Sequence, residues 1–185
     1  MLDVDGIEER MPAVLPVKSE KIDIFIDNAA AAMQNLIHNA DARKIADLVT
    51  LNTTVPMILT KMVINNFLRF RTKGVILHMS SICAHKAYRG LAMLGATKAA
   101  LETFSRNTAA EYGRFGIRSN TIVAGLLETG MISLTNAQQE NEMKNDAALR
   151  KLVDTDSVVS LIDYLVSDAS HCITGQSVHL DAGIL

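Results

Sequence analysis

Four short apolar runs separated by long helical patterns constrain this chain more than any other feature. Ile22 to Asp27 (IDIFID), Gly74 to Met79 (GVILHM), Ile117 to Val123 (IRSNTIV) and Ser177 to Leu180 (SVHL) read as strands. Between them, residues 46–71, 93–112, 137–152 and 157–166 carry apolar residues at helical spacing. Strand, helix, strand in that rhythm requires a parallel sheet, because parallel neighbours are joined by crossovers that lay helices on the sheet faces. The pattern predicts an α/β fold, half of a doubly wound sheet, with about four core strands flanked by helices. With 185 residues the chain has material for one core, so residues 1–185 are expected to form a single domain.

Charge and cysteine usage narrow the function classes. Lys plus Arg nearly balance Asp plus Glu, leaving a formal charge of -2, so no electrostatic footprint for nucleic acid or an anionic membrane exists. Small molecules and protein partners remain. Cys83 and Cys172 lie far apart with no Cys-x-x-Cys or Cys/His ligand spacing, which argues against a zinc site or a disulfide scaffold and for a reducing cytoplasm. The opening MLDVDGIEERMPAVLPVKSEK has acids and prolines where a signal peptide needs an apolar core, and no later run approaches a membrane span. A soluble cytoplasmic protein is expected.

Ordered landmarks then resemble the short-chain dehydrogenase/reductase family along nearly the whole chain. Asp3-Val4 is similar to the Asp-Val ending the family's third strand, and IDIFIDNAA to its fourth strand running into Asn-Asn-Ala-Gly. LNTTVPM places Asn52 at the family's helix-kink asparagine, and VILHMSS ends the fifth strand on Ser80 and Ser81. Ser81 precedes position 94 by the family's serine-to-tyrosine spacing; KAALETFSRNTAAEYGRFGIRSNTIVAG and ITGQSVHLDAGIL resemble its later helix, sixth strand and C-terminal ending. The resemblance implies a truncated Rossmann-like sheet lacking the first βαβ units. At ~30 residues per β-α unit, about 60 residues would precede Asp3 in a full-length relative. No Gly-x-x-x-Gly-x-Gly turn, the family's pyrophosphate cradle, occurs in the sequence.

The resemblance also implies a set of site residues and marks what has changed. In the family, a tyrosine four residues before the lysine exchanges a proton with the substrate oxygen while hydride passes to or from a nicotinamide. Here Lys98 is present, but Leu94 stands at the tyrosine position, and leucine carries no proton to exchange. Tyr88 lies ten residues before Lys98, not one helical turn, so it is not expected to replace that tyrosine. Asn52, Ser81 and Lys98 are read as catalytic remnants kept by the scaffold, and Asp3, Asn28 and Thr129 as cofactor-binding remnants. Asn28 is expected to tie neighbouring strands. Asp27 and Ala30 replace a family asparagine and glycine, Ala124 replaces a proline, and His78 is expected to be a hydrogen-bonded core histidine. No metal site is expected.

These substitutions point to a non-catalytic pseudoenzyme subunit of a hetero-oligomeric alcohol or hydroxyacyl dehydrogenase, such as the hydroxyacyl-CoA enzymes of benzylsuccinate-type pathways. The partner implied is a full-length homologue that binds NAD or NADP, with none held by this chain. The expected contacts of a heterotetramer are the 57–71 and 93–112 helices and the C-terminal strand. Leu59, Met62, Val63 and Phe67 on the first helix, and Gly95, Ala96, Ala99, Ala100, Ala109 and Ala110 on the second, supply apolar and small residues for such contacts. Two other readings stay open: a divergent cofactor-independent enzyme using Ser81 and Lys98, and a homo-oligomeric ligand-binding scaffold. Strand 22–27 would be an apolar edge, to be covered by Met1 to Glu20 or by another chain.

Overall fold

The computed structural model describes residues 4, 6–13, 17–127 and 137–185. All four apolar runs are strands of one sheet: β1 (Ile24–Asp27), β2 (Val75–Ser81), β3 (Arg118–Ala124) and β4 (Ser177–Leu180). They lie in the order β1-β2-β3-β4, and every neighbouring pair is parallel. The fold is therefore the expected α/β, Rossmann-like sheet flanked by helices. Strand β1 starts two residues later than IDIFID because the Ile22 amide donates to Asn66 Oδ1, 3.0 Å away, instead of joining a ladder.

Six α-helices are described: α1 (Ile7–Arg10), α2 (Ala42–Val49), α3 (Val55–Phe70), α4 (Ala92–Tyr112), α5 (Ala137–Asp146) and α6 (Thr155–Val166). The expected 46–71 helix starts earlier, capped by the Asp41 carboxylate, which accepts from the Arg43 and Lys44 amides. It is interrupted by a π turn at Thr50–Thr54. Pro56 has no N–H to return to the carbonyl of Asn52, which loosens the ladder there. The expected 137–152 helix ends at Asp146, because the Ala148 and Leu149 amides turn to the carbonyls of Gly183 and Ala182. Helix α6 begins at an Asp154 cap whose Oδ1 accepts from Ser157 N at 2.7 Å.

The two sheet faces differ in chemistry. Against α6, Val75, Leu77, Met79, Ile122 and Ala124 pack with Val153, Val158 and Leu165. On the other face, Ile76 and Ile117 pack under Val63, Ile64 and Phe67 of α3, and the rest is polar where α4 crosses: His78, Ser80, Ser119 and Thr121 are all buried. Arg118 closes the far end, donating to the carbonyls of Leu165, Ser167 and Ile173. No helix among the described residues is long and apolar enough to cross a membrane.

The described part of the N-terminal segment does not cover β1. It is tied to the outer side of α3, where buried Asn66 donates to the carbonyls of Val17 and Glu20, Arg69 to that of Lys18, and Lys61 pairs with Glu8. Among the described residues β1 has no ladder partner except β2, and Ile24 and Ile26 are 44% and 39% exposed. Val63 and Phe67 belong to the chain's own core, Met62 is buried, and Gly95 and Ala109 face inward. A Cβ at Gly95 would overlap the Cys83 carbonyl, so glycine there lets α4 approach the turn after β2. Ala96, Ala99 and Ala100 do face outward, lining a groove with Met57, Thr103, Phe104 and Asn107.

Candidate functional site

The carboxyl ends of parallel strands, where α/β sheets place their ligands, bring Ser81, Lys98, Leu94 and Asn52 into one region. Asn52 sits in the π turn and is buried. Its Oδ1 accepts from Ala31 N at 2.9 Å, and its Nδ2 donates to Ala31 O at 2.8 Å and to Thr97 Oγ1 at 3.2 Å. Both amide hydrogens are thereby committed to the scaffold. Asn52 thus pins the loop after β1 to α4. Asn28 itself is exposed at the end of β1. Asp3 and Thr129 lie outside the described residues.

Lys98 is buried, and its Nζ donates to the Met79 carbonyl at 2.6 Å. Burial lowers its pKa, and the charge of Asp27 opposes that shift. Ser81 ends β2 and caps the following turn, its Oγ accepting from Cys83 N at 3.2 Å. Ser81 and Lys98 share no hydrogen bond. Leu94, one helical turn before Lys98, is buried, and its carbonyl accepts from Thr97 Oγ1. Tyr88 shares no hydrogen bond with Lys98. Burial, with the nearby charges of Cys83, Asp146 and Asp181, pushes its phenol up to about 12. Among the described residues its buried hydroxyl has no hydrogen-bond partner.

Two polar clusters lie behind these residues on the α4 side of the sheet. His78 Nδ1 is 3.1 Å from Asp27 Oδ2, both groups buried, with the rings of Phe25 and Phe104 edge-on to the imidazole. The predicted core histidine is therefore hydrogen-bonded as expected. The second cluster centres on Glu102, which the sequence reading did not single out. Its carboxylate accepts from Ser80 Oγ at 2.5 Å and Ser177 Oγ at 2.8 Å and contacts His85 Nε2 at 2.9 Å. The available signal was spacing: Glu102 falls one turn after Lys98, on the same buried helix face. Among the described residues, no group of three His, Cys, Asp or Glu is arranged to hold a metal ion.

The parallel sheet and its flanking helices define a Rossmann-like protein of the dinucleotide-fold class. The profile of the family described as enoyl-(acyl carrier protein) reductase matches residues 6–185, and the chain belongs to the short-chain dehydrogenase/reductase family. It is 26% identical over 182 residues to a 3-oxoacyl-acyl-carrier-protein reductase of Buchnera aphidicola, covering 98% of this chain and 74% of that protein. It is 28% identical over 187 residues to D-erythrulose reductase of Gallus gallus, again covering 74% of the relative. Among solved structures, 4-hydroxyisoleucine dehydrogenase complexed with NADH and succinate superimposes with a TM-score of 0.87 at 25% identity, over 96% of this chain and 74% of that one. The chain thus spans about three quarters of the length of these relatives.

Proposed function

We propose that this chain is a non-catalytic subunit of a hetero-oligomeric short-chain dehydrogenase, where it stabilises and shapes an active homologous subunit dependent on NAD or NADP. One observation carries the reading: the position that would present a proton donor beside Lys98 holds buried Leu94. Among the described residues, Tyr88 does not take over the task. A phenol held at about 12, as in Tyr88, releases its proton too reluctantly for acid-base work near neutrality. Lys98 directs its ammonium at Met79 O rather than into an open site.

Of the cofactor remnants, Asn28 is the described one, and it is exposed at the end of β1. In this reading the dinucleotide belongs to the partner. The contact proposed for that partner is the groove between α3 and α4, with a volume of about 670 Å³, where Ala96, Ala99 and Ala100 let another helix approach closely. The relatives' names, a 3-oxoacyl-acyl-carrier-protein reductase and D-erythrulose reductase, support a carbonyl or alcohol substrate for the complex; a hydroxyacyl-CoA of the benzylsuccinate type is the narrower proposal and rests on the family resemblance alone.

The test compares ketone reduction of a 3-oxoacyl thioester by the purified chain, by the partner and by the complex, with NADH and NADPH. Full activity in the complex, none from this chain alone and a partner less stable in its absence are the expected results. Turnover by the isolated chain would overturn the reading.

A further inference from the structure

We propose that one ordered water molecule binds between His78 and Thr121 beneath α4, bridging β2 to β3 and holding His78 as its Nδ1–H tautomer. The register sets four polar residues on a single rung across the whole sheet, because Asp27 pairs with His78, His78 with Thr121, and Thr121 with Ser177. The rung lies on the α4 side, where the Phe104 ring of that helix stands edge-on to the imidazole. Its two ends are already served. Asp27 Oδ2 lies 3.1 Å from His78 Nδ1, and Ser177 Oγ donates to Glu102 Oε2 at 2.8 Å. In the middle, His78 Nε2 and Thr121 Oγ1 are buried with no hydrogen-bond partner among the described residues. The two residues are 0% and 1% exposed, so bulk solvent serves neither.

The chemistry of these two atoms selects the occupant. The Asp27 carboxylate accepts, so Nδ1 carries the ring hydrogen and Nε2 presents a lone pair, while the Thr121 hydroxyl has a hydrogen to give. Buried polar groups are rarely left unpaired, and here the two unpaired ones are neighbours on one rung. A single neutral molecule that donates to Nε2 and accepts from Thr121 satisfies both. Its size is set by the sheet: two hydrogen bonds of about 2.8 Å meeting near the tetrahedral angle span about 4.6 Å, against ~4.8 Å between neighbouring strands. Water has that size and that polarity. The other hydroxyls of the layer are committed elsewhere, Ser105 to Ser119 at 2.8 Å and Ser80 to Glu102 at 2.5 Å. The site does not depend on whether the chain is catalytically silent.

The experiment is a crystal structure of the full chain at a resolution that shows ordered water, with Thr121→Val and Thr121→Ser beside it, and a long-range proton–nitrogen spectrum of the 15N-histidine-labelled chain. The expected result is one water about 3 Å from both His78 Nε2 and Thr121 Oγ1, kept in Thr121→Ser and lost from Thr121→Val, with the hydrogen of His78 on Nδ1. Valine matches threonine in shape, so β3 should be unmoved in that variant. A direct hydrogen bond from Thr121 to His78, two unpaired atoms with no water between them, a water retained in Thr121→Val, or a hydrogen on Nε2 would each overturn the proposal.

Discussion

Lys98 donates from Nζ to the main-chain oxygen of Met79 at 2.6 Å, tying α4 to the middle of the sheet. The lysine that would assist catalysis in a complete site thus serves as a structural clasp, and burial lowers its pKa below the ordinary lysine value of 10.5. Between the folded pKa and that value, the unfolded chain binds more protons than the folded one, so stability rises with pH across the window. Urea unfolding at stepped pH should show that rise. Lys98→Met should remove it and stabilise the fold by about 1 kcal/mol near neutrality. Activity of the native complex should not change; a loss of activity would restore Lys98 to a catalytic role.

Asn52 is the second clasp, and here removal costs stability. Asn52→Ala deletes three hydrogen bonds to Ala31 and Thr97 and leaves buried polar groups unsatisfied. Denaturant unfolding should show a loss of about 3 kcal/mol. Asn52→Asp keeps the acceptor for the Ala31 amide but offers no donor, so it should fall between the two.

Glu102 gathers Ser80, Ser177 and His85 around one buried carboxylate and so joins α4, β2, β4 and the loop after β2. Glu102→Ala should destabilise the chain by about 3 kcal/mol and raise hydrogen exchange in β4. A variant with unchanged exchange in β4 would show that Ser177 gains nothing from the contact.

Ala182 has φ of 56°, a left-handed conformation that its Cβ resists. Ala182→Gly should raise the melting temperature and stabilise by about 1 kcal/mol.

The sheet was legible in the sequence because each apolar run is short, bounded and separated by a helix-length stretch. What escaped was set by groups distant in sequence. Ile22 leaves β1 because Asn66, 44 residues away, takes its amide. Helix α5 stops because Ala182 and Gly183 offer carbonyls to Ala148 and Leu149. At the site, Leu94, Ser81 and Lys98 were placed by the family resemblance, whereas the tie from Asn52 to Ala31 was not foreseen, because it is the π turn that aims its amide there. Glu102 was missed because a single acidic residue on a helix reads as surface until its partners, Ser80 and Ser177 on two different strands, are brought beneath it.

Native mass spectrometry of the protein drawn from its own cells, without overexpression, tests the central claim most directly. The account predicts a mass composed of this chain and a larger homologue, with nicotinamide dinucleotide carried only by the larger subunit. A mass made solely of copies of this chain, or dinucleotide bound to this chain by itself, would contradict it.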